Sequence, residues 1–252
     1  MLSFTEFGAS RARPPLVIAH GLYGSGRNWS VIAKRLSDTR RVICPDMRNH
    51  GYSPFEPTQS YEDMADDLAG LMRHVGGPVD LCGHSMGGKA AMVMALHHPD
   101  LLRRLIVADI APVEYNHTQS HHIAAMRAVD LGAIARRSEA AEQLGAQGVE
   151  PALQSFFTQS LDVAGKCWRL NLDVLEAEMD KIIGFPDVSG SFDKPTLFLT
   201  GADSTYVRPE HRPLIKSLFP AARFAKLPKS GHWLHADRPR EFEAAVRTYL
   251  DA

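Results

Sequence analysis

Gly83-His84-Ser85-Met86-Gly87 sets a serine between two glycines, directly after the apolar run Val79–Cys82 and directly before a helical run that starts near Met86. A turn this tight has no room for Cβ atoms on its flanks, so the spacing predicts a strained strand-to-helix bend that lifts the Ser85 hydroxyl to the carboxyl edge of a sheet. A serine hydroxyl is a poor nucleophile until a base takes its proton. His232 fits that base, because Lys229-Ser230-Gly231-His232-Trp233 follows the predicted strand Arg223–Leu227. A carboxylate must then fix the imidazole tautomer and offset its charge. The order serine, acid, histidine leaves two candidates past predicted strands: Asp109 after Leu105–Ala108, and Asp203 after Thr196–Thr200. Spacing does not choose between them. Charge developing on a carbonyl oxygen needs backbone donors already in place. The expected pair is the Met86 N–H and an N–H of the glycine-rich loop His20–Gly26, for which Leu22 is the candidate.

Residue type selects none of the 12 histidines by itself. His97 and His98 precede Pro99 at a helix end, His20 begins a turn, and His235 lies a turn past His232. His117, His121 and His122 include the i, i+4 spacing of a metal pair, but no carboxylate signature completes a site; a solvated helix face is expected, and no metal. Gly83 to Lys89 also spells G-x-x-x-x-G-K after a strand, with a second apolar run ending at Asp109. Ala90 stands where a phosphate-binding loop needs a Ser or Thr hydroxyl for magnesium, so nucleotide hydrolysis is not supported.

The elements that must position these residues read as α/β. Apolar runs at Leu2–Phe7, Leu16–His20, Val42–Pro45, Val79–Cys82 and Leu105–Ala108 alternate with helical periodicity at Trp29–Leu36, Tyr61–Val75 and Met86–His97, the pattern of a parallel sheet covered by helices. Ser60 with Asp63 opens the second helix, and Gly76-Gly77-Pro78 stops it. After Pro112 about 80 residues carry helical period and little strand signal. The earlier rhythm resumes with a strand at Thr196–Thr200, a helix near Pro209–Phe219, a strand at Arg223–Leu227 and a helix at Pro239–Leu250. One large domain with a helical insertion is the economical reading of 252 residues.

Composition narrows the classes. With 44% hydrophobic and 23% charged residues the chain is globular, and a net charge of −1 gives no field to draw it to nucleic acid or an anionic membrane. Three distant cysteines, Cys44, Cys82 and Cys167, suit neither a disulfide framework nor a zinc site and are expected as buried thiols. No targeting pattern and no membrane-length apolar run stands out, so a cytoplasmic protein is expected.

HGLYGSGRNW at 20–29, DMRNHGYSP at 46–54, GHSMGGKAAM at 83–92, ADIAPVEY at 108–115 and SGHWLHAD at 230–237 together resemble the α/β-hydrolases. In particular they look like the YbfF-type esterases, the group of alpha/beta-hydrolase domain-containing protein 11. The resemblance implies an α/β-hydrolase fold, a mostly parallel sheet flanked by helices with a helical lid inserted after the sixth strand. Residues 1–111 and 195–252 would form the core, and 112–194 the lid. It implies a Ser-Asp-His esterase for short- to medium-chain acyl esters or thioesters, with no cofactor, and it carries the nucleophile to Ser85 and the base to His232. The ADIAPVEY block favours Asp109 as the acid, whereas many α/β-hydrolases place theirs where Asp203 stands. Tyr23, Tyr206, Trp233, Phe156, Phe157 and Trp168 are the expected pocket contacts. An acyltransferase or a carbon–carbon bond hydrolase on the same triad, or a binding module on the same fold, are the alternatives. The expected partner is a small acyl substrate, and the expected state a monomer or homodimer.

Overall fold

The computed structural model describes residues 1–9 and 13–252. The chain runs through β1 (Phe4–Phe7), β2 (Leu16–Ala19), α1 (Ser30–Leu36), β3 (Val42–Pro45), α2 (Tyr61–Val75), β4 (Val79–His84), α3 (Met86–His97) and β5 (Leu102–Ala108). An insertion follows, with α4 (Ser120–Arg127), α5 (Arg137–Ala146), α6 (Pro151–Thr158), the short strands β6 (Leu161–Asp162) and β7 (Cys167–Trp168), α7 (Leu172–Ala177) and α8 (Met179–Ile183). The chain then returns through β8 (Thr196–Gly201), α9 (Arg212–Leu218), β9 (Ala222–Leu227), α10 (Leu234–Asp237) and α11 (Pro239–Asp251).

Seven strands form one sheet in the order β1-β3-β2-β4-β5-β8-β9, with β1 antiparallel to β3 and every other pair parallel. The insertion follows the fifth strand, not the sixth, because a single strand precedes β2 among the described residues, and that strand pairs at the sheet edge. From β2 the chain first adds β3 on one side and then β4 on the other. The carboxyl ends of β2 and β4 therefore flank the point where the winding direction reverses, the place where open α/β sheets leave a crevice.

Residues alternate between the two faces of the sheet. Leu16, Ile18, Val42, Cys44, Cys82, Ile106, Ala108 and Leu199 pack with Trp29, Leu36, Phe242 and Val246 of the α1 and α11 layer. Val17, Ala19, Ile43, Leu81, Leu105, Val107 and Phe198 pack with α2 and α3. Burial on both faces explains why these strands read as continuous apolar runs. The Ser60 hydroxyl accepts the Asp63 N–H at the start of α2, and Gly76, at φ +91°, ends that helix. Helix α3 is buried on all sides from Met86 to Ala95, and its small residues let it sit tight against the sheet.

Two expectations shift. The helix near Pro209–Phe219 is a 3-10 turn at Pro209–His211 followed by α9, since Pro213 has no N–H to give and fits only in a first turn. Cys44 and Cys82 are buried, but Cys167, in the β6–β7 hairpin of the insertion, is exposed. Among the described residues no helix is long and apolar enough to cross a membrane.

Candidate active site

Ser85 caps α3 with φ 53° and ψ −119°, a backbone state that costs about 1–3 kcal/mol and persists only where its surroundings enforce it. The enforcement is visible on both sides. The Ser85 N–H donates to Ala108 O at 3.1 Å, while its carbonyl accepts the Gly88 and Lys89 N–H groups at 2.8 and 3.0 Å. A Cβ on Gly83 would fall 2.2 Å from Gly87 O, and one on Gly87 would fall 2.5 Å from the carbonyl oxygens of Ala19 and His20. Both glycines are required by close backbone approach.

His232 enters from the loop between β9 and α10. Its Nε2 lies 3.1 Å from Ser85 Oγ, and its Nδ1 lies 2.8 Å from the Asp109 carboxylate. With Nδ1–H donating to Asp109, the Nε2 lone pair faces the serine hydroxyl. Asp109 directly follows β5, is itself at φ 53° and is fully buried. Its carboxylate also accepts the Gly201 N–H at 3.0 Å and the Ser204 hydroxyl at 2.5 Å. Asp203 is exposed, with its N–H donating to Ser230 O at 2.9 Å. Of the two aspartates left open by spacing, the structure brings only Asp109 to His232. Ser204 was missed; a hydroxyl in a turn past a strand carries no signal of where it points.

The loop after β2 is clamped by two neutral histidines. His20 donates Nδ1–H to Gly21 O at 2.8 Å and accepts the Met47 N–H on Nε2 at 2.9 Å. His50 donates Nδ1–H to Arg48 O at 2.8 Å and accepts the Tyr23 N–H at 3.1 Å. Burial pushes these two imidazoles down to about 4 and about 3, so both keep a lone pair for a backbone donor. The Tyr23 N–H is taken, whereas the Leu22 and Met86 N–H groups have no acceptor among the described residues, and both residues line the same cavity as Ser85. Behind the His232 ring, His84 donates Nε2–H to His232 O at 2.8 Å, and burial holds the His84 ring well below the ordinary histidine range. His235 stacks on Trp29 at 4.0 Å.

A cavity of about 890 Å³, open solvent at its mouth included, has Ser85, His232, Leu22 and Met86 in its lining. The insertion contributes His122, Leu153, Phe156, Phe157, Ile182 and Ile183 to the same walls. A serine hydroxyl, an imidazole, a buried carboxylate and two unpaired N–H donors therefore meet at a largely apolar pocket, an arrangement suited to acyl transfer.

The description "alpha/beta hydrolase fold" belongs to the family model that matches residues 14–239. The chain belongs to the α/β-hydrolase family. It is 42% identical to the sn-1-specific diacylglycerol lipase ABHD11 of Mus musculus, over 99% of this chain and 85% of that protein. It is 36% identical to esterase YbfF of Escherichia coli K12, over 94% of this chain and 93% of the relative. Among solved structures, a marine microorganism esterase superposes with a TM-score of 0.92 at 38% identity, covering 98% of both chains.

In this α/β-hydrolase the expected pocket contacts divide. Tyr23, Tyr206, Trp233, Phe156 and Phe157 line the cavity, but Trp168 does not. Its indole N–H is spent on Met126 O at 2.9 Å inside the insertion. Tyr206 does more than line the wall: its ring stacks on the His232 imidazole at 3.9 Å, and the Tyr115 hydroxyl donates to Tyr206 O at 2.9 Å. The three histidines of the expected solvated helix face also separate. Helix α4 begins at Ser120, so His117 precedes it and lies 3.1 Å from the Tyr206 hydroxyl. His121 is exposed, whereas the half-buried His122 turns into the cavity, where burial pushes it down to about 4.

Proposed function

We propose that this α/β-hydrolase is a serine esterase that cleaves short- to medium-chain acyl esters or thioesters through an acyl-enzyme on Ser85. The observation that carries the reading is the unbroken hydrogen-bonded line from Ser85 Oγ through His232 to Asp109 at the cavity wall. The names of the mouse lipase and the bacterial esterase support a carboxylic ester as the bond attacked.

Ser85 Oγ attacks the acyl carbonyl carbon as His232 Nε2 takes its proton, and the carbonyl π pair moves onto oxygen. The Leu22 and Met86 N–H groups hold that oxyanion, while Asp109 offsets the imidazolium charge. Collapse of the tetrahedral centre breaks the bond to the leaving alkoxide or thiolate, which receives the proton from Nε2. Water then attacks the acyl-Ser85 ester, giving its proton to His232; collapse returns that proton to Ser85 and releases the acid. The insertion acts as a lid, whose apolar side chains keep bulk water from the acyl group. No cofactor enters these steps.

Initial rates on p-nitrophenyl esters and matched thioesters test the reading. Ser85→Ala should lower kcat by about 10⁴-fold or more, as loss of a triad nucleophile does elsewhere. A Ser85→Ala protein that keeps the parent rate would overturn it.

A further inference from the structure

Lys89, in the GHSMGGKAAM block, carries chemistry that the proposed reaction leaves unused. It lies four residues past Ser85 on α3, so both face the same side of the helix, and both line the cavity. The side chain is only 1% exposed, and no carboxylate among the described residues forms an ion pair with it. A buried ammonium without a counter-ion is costly, and a methionine would fill the space without that cost. What lysine adds over methionine is hydrogen-bond donors, and its partners show where they go. Nζ donates to Ile183 O at 2.8 Å and to Gly184 O at 2.5 Å, with the Tyr115 ring 4.8 Å away.

Those carbonyls end α8, a five-residue helix too short to hold itself. The last carbonyls of any helix lack partners within it, and a cation there complements the helix dipole. Here the Ile182, Ile183 and Gly184 carbonyls are all taken by groups outside α8. The Tyr61 hydroxyl donates to Ile182 O at 2.5 Å, and the Tyr115 N–H joins Lys89 on Ile183 O at 3.1 Å. The side chains of Ile182 and Ile183 are cavity wall. The nucleophile helix thus fixes, through one buried side chain, how far the end of the insertion stands from the acyl site.

We propose that Lys89 is a positioning residue that sets the length of acyl chain this enzyme accepts, by pinning the Ile182–Ile183 wall of the cavity. The proposal rests on the esterase reading above. Burial also pushes the Lys89 ammonium down to about 7, and a neutral amine still has the two N–H groups that the two carbonyls need.

The test is kcat/KM across p-nitrophenyl esters from C2 to C12 for the parent and for Lys89→Met. The parent should show a defined optimum. In Lys89→Met the optimum should move up by at least two carbons, and the C10 to C2 ratio of kcat/KM should rise at least tenfold, through KM rather than kcat. Tyr61→Phe removes a second tie to the same helix end and should shift the profile the same way by a smaller amount, which keeps the test open if Lys89→Met does not fold. A length profile unmoved in the variants that fold would overturn the proposal, whatever happens to Tm. So would a parent enzyme that prefers carboxyl-ended acyl groups over methyl-ended ones of equal length, with the preference lost in Lys89→Met, because the ammonium would then serve the substrate. Absence of Ser85-dependent hydrolysis at every length would instead sink the esterase reading.

Discussion

The Asp109 carboxylate is fully buried and accepts from three donors: His232 Nδ1–H, the Gly201 N–H and the Ser204 hydroxyl. Replacing it with the isosteric amide keeps the shape but lets the imidazole carry its proton on Nε2, where it can no longer take the proton of Ser85. Asp109→Asn should therefore lower kcat by about 10³–10⁴-fold, while Asp203→Asn, at an exposed turn, should change it by less than about twofold. Steady-state rates of the two variants on one ester decide this, and equal activities would remove Asp109 from the mechanism. At this scale the residues of the proposed nucleophile and base were legible, because Ser85 and His232 each carry a local pattern tied to a strand end. The acid was not. Both aspartates follow strands, and what separates them is the positive φ at Asp109 together with donors at Gly201 and Ser204 that lie 92 and 95 residues away in sequence. Ser204 and the ties of Lys89 are invisible for the same reason.

Elements carry the next level of constraint. The start of α3 presses on the end of β2 at Gly87, where an added methyl would lie 2.5 Å from two backbone oxygens. Gly87→Ala should cost about 1–3 kcal/mol of stability or more by overpacking, read as a lower urea midpoint with unchanged m-value. A midpoint equal to the parent's would mean that the two backbones do not approach this closely. The sheet strands and helices α2 and α3 were readable because each is long enough to show its period. The insertion was readable only as helical. Its strands β6 and β7 have two residues each, and α7 and α8 have six and five. Periodicity cannot be detected in segments that short, and tertiary ties such as Tyr61 to Ile182 decide their form. The same shortness hid the exposure of Cys167 and the inward turn of Trp168 within the insertion.

For the molecule as a whole, stability and the site share a set of buried histidines. His20, His50, His84 and His235 are all held below the ordinary histidine range, chiefly by desolvation, the first two and the last at about 4, about 3 and about 3. In the unfolded chain each titrates near 6.5. Below that pH the unfolded state binds protons that the folded state refuses, so stability is complete above about pH 6.5 and is lost as pH falls toward the folded values. Each group contributes up to about 1.4 kcal/mol per pH unit, and four together up to about 5 kcal/mol per unit. The urea midpoint should drop sharply between pH 7.5 and 5; a flat midpoint would mean that these rings are solvated. A fluorophosphonate ester mimics the tetrahedral centre and traps an activated serine, and peptide mass mapping locates the adduct. The account predicts a single equivalent on the peptide bearing Ser85, absent from Ser85→Ala and formed far more slowly in His232→Ala. An adduct at another residue, or none on a protein that still turns over esters, would contradict it.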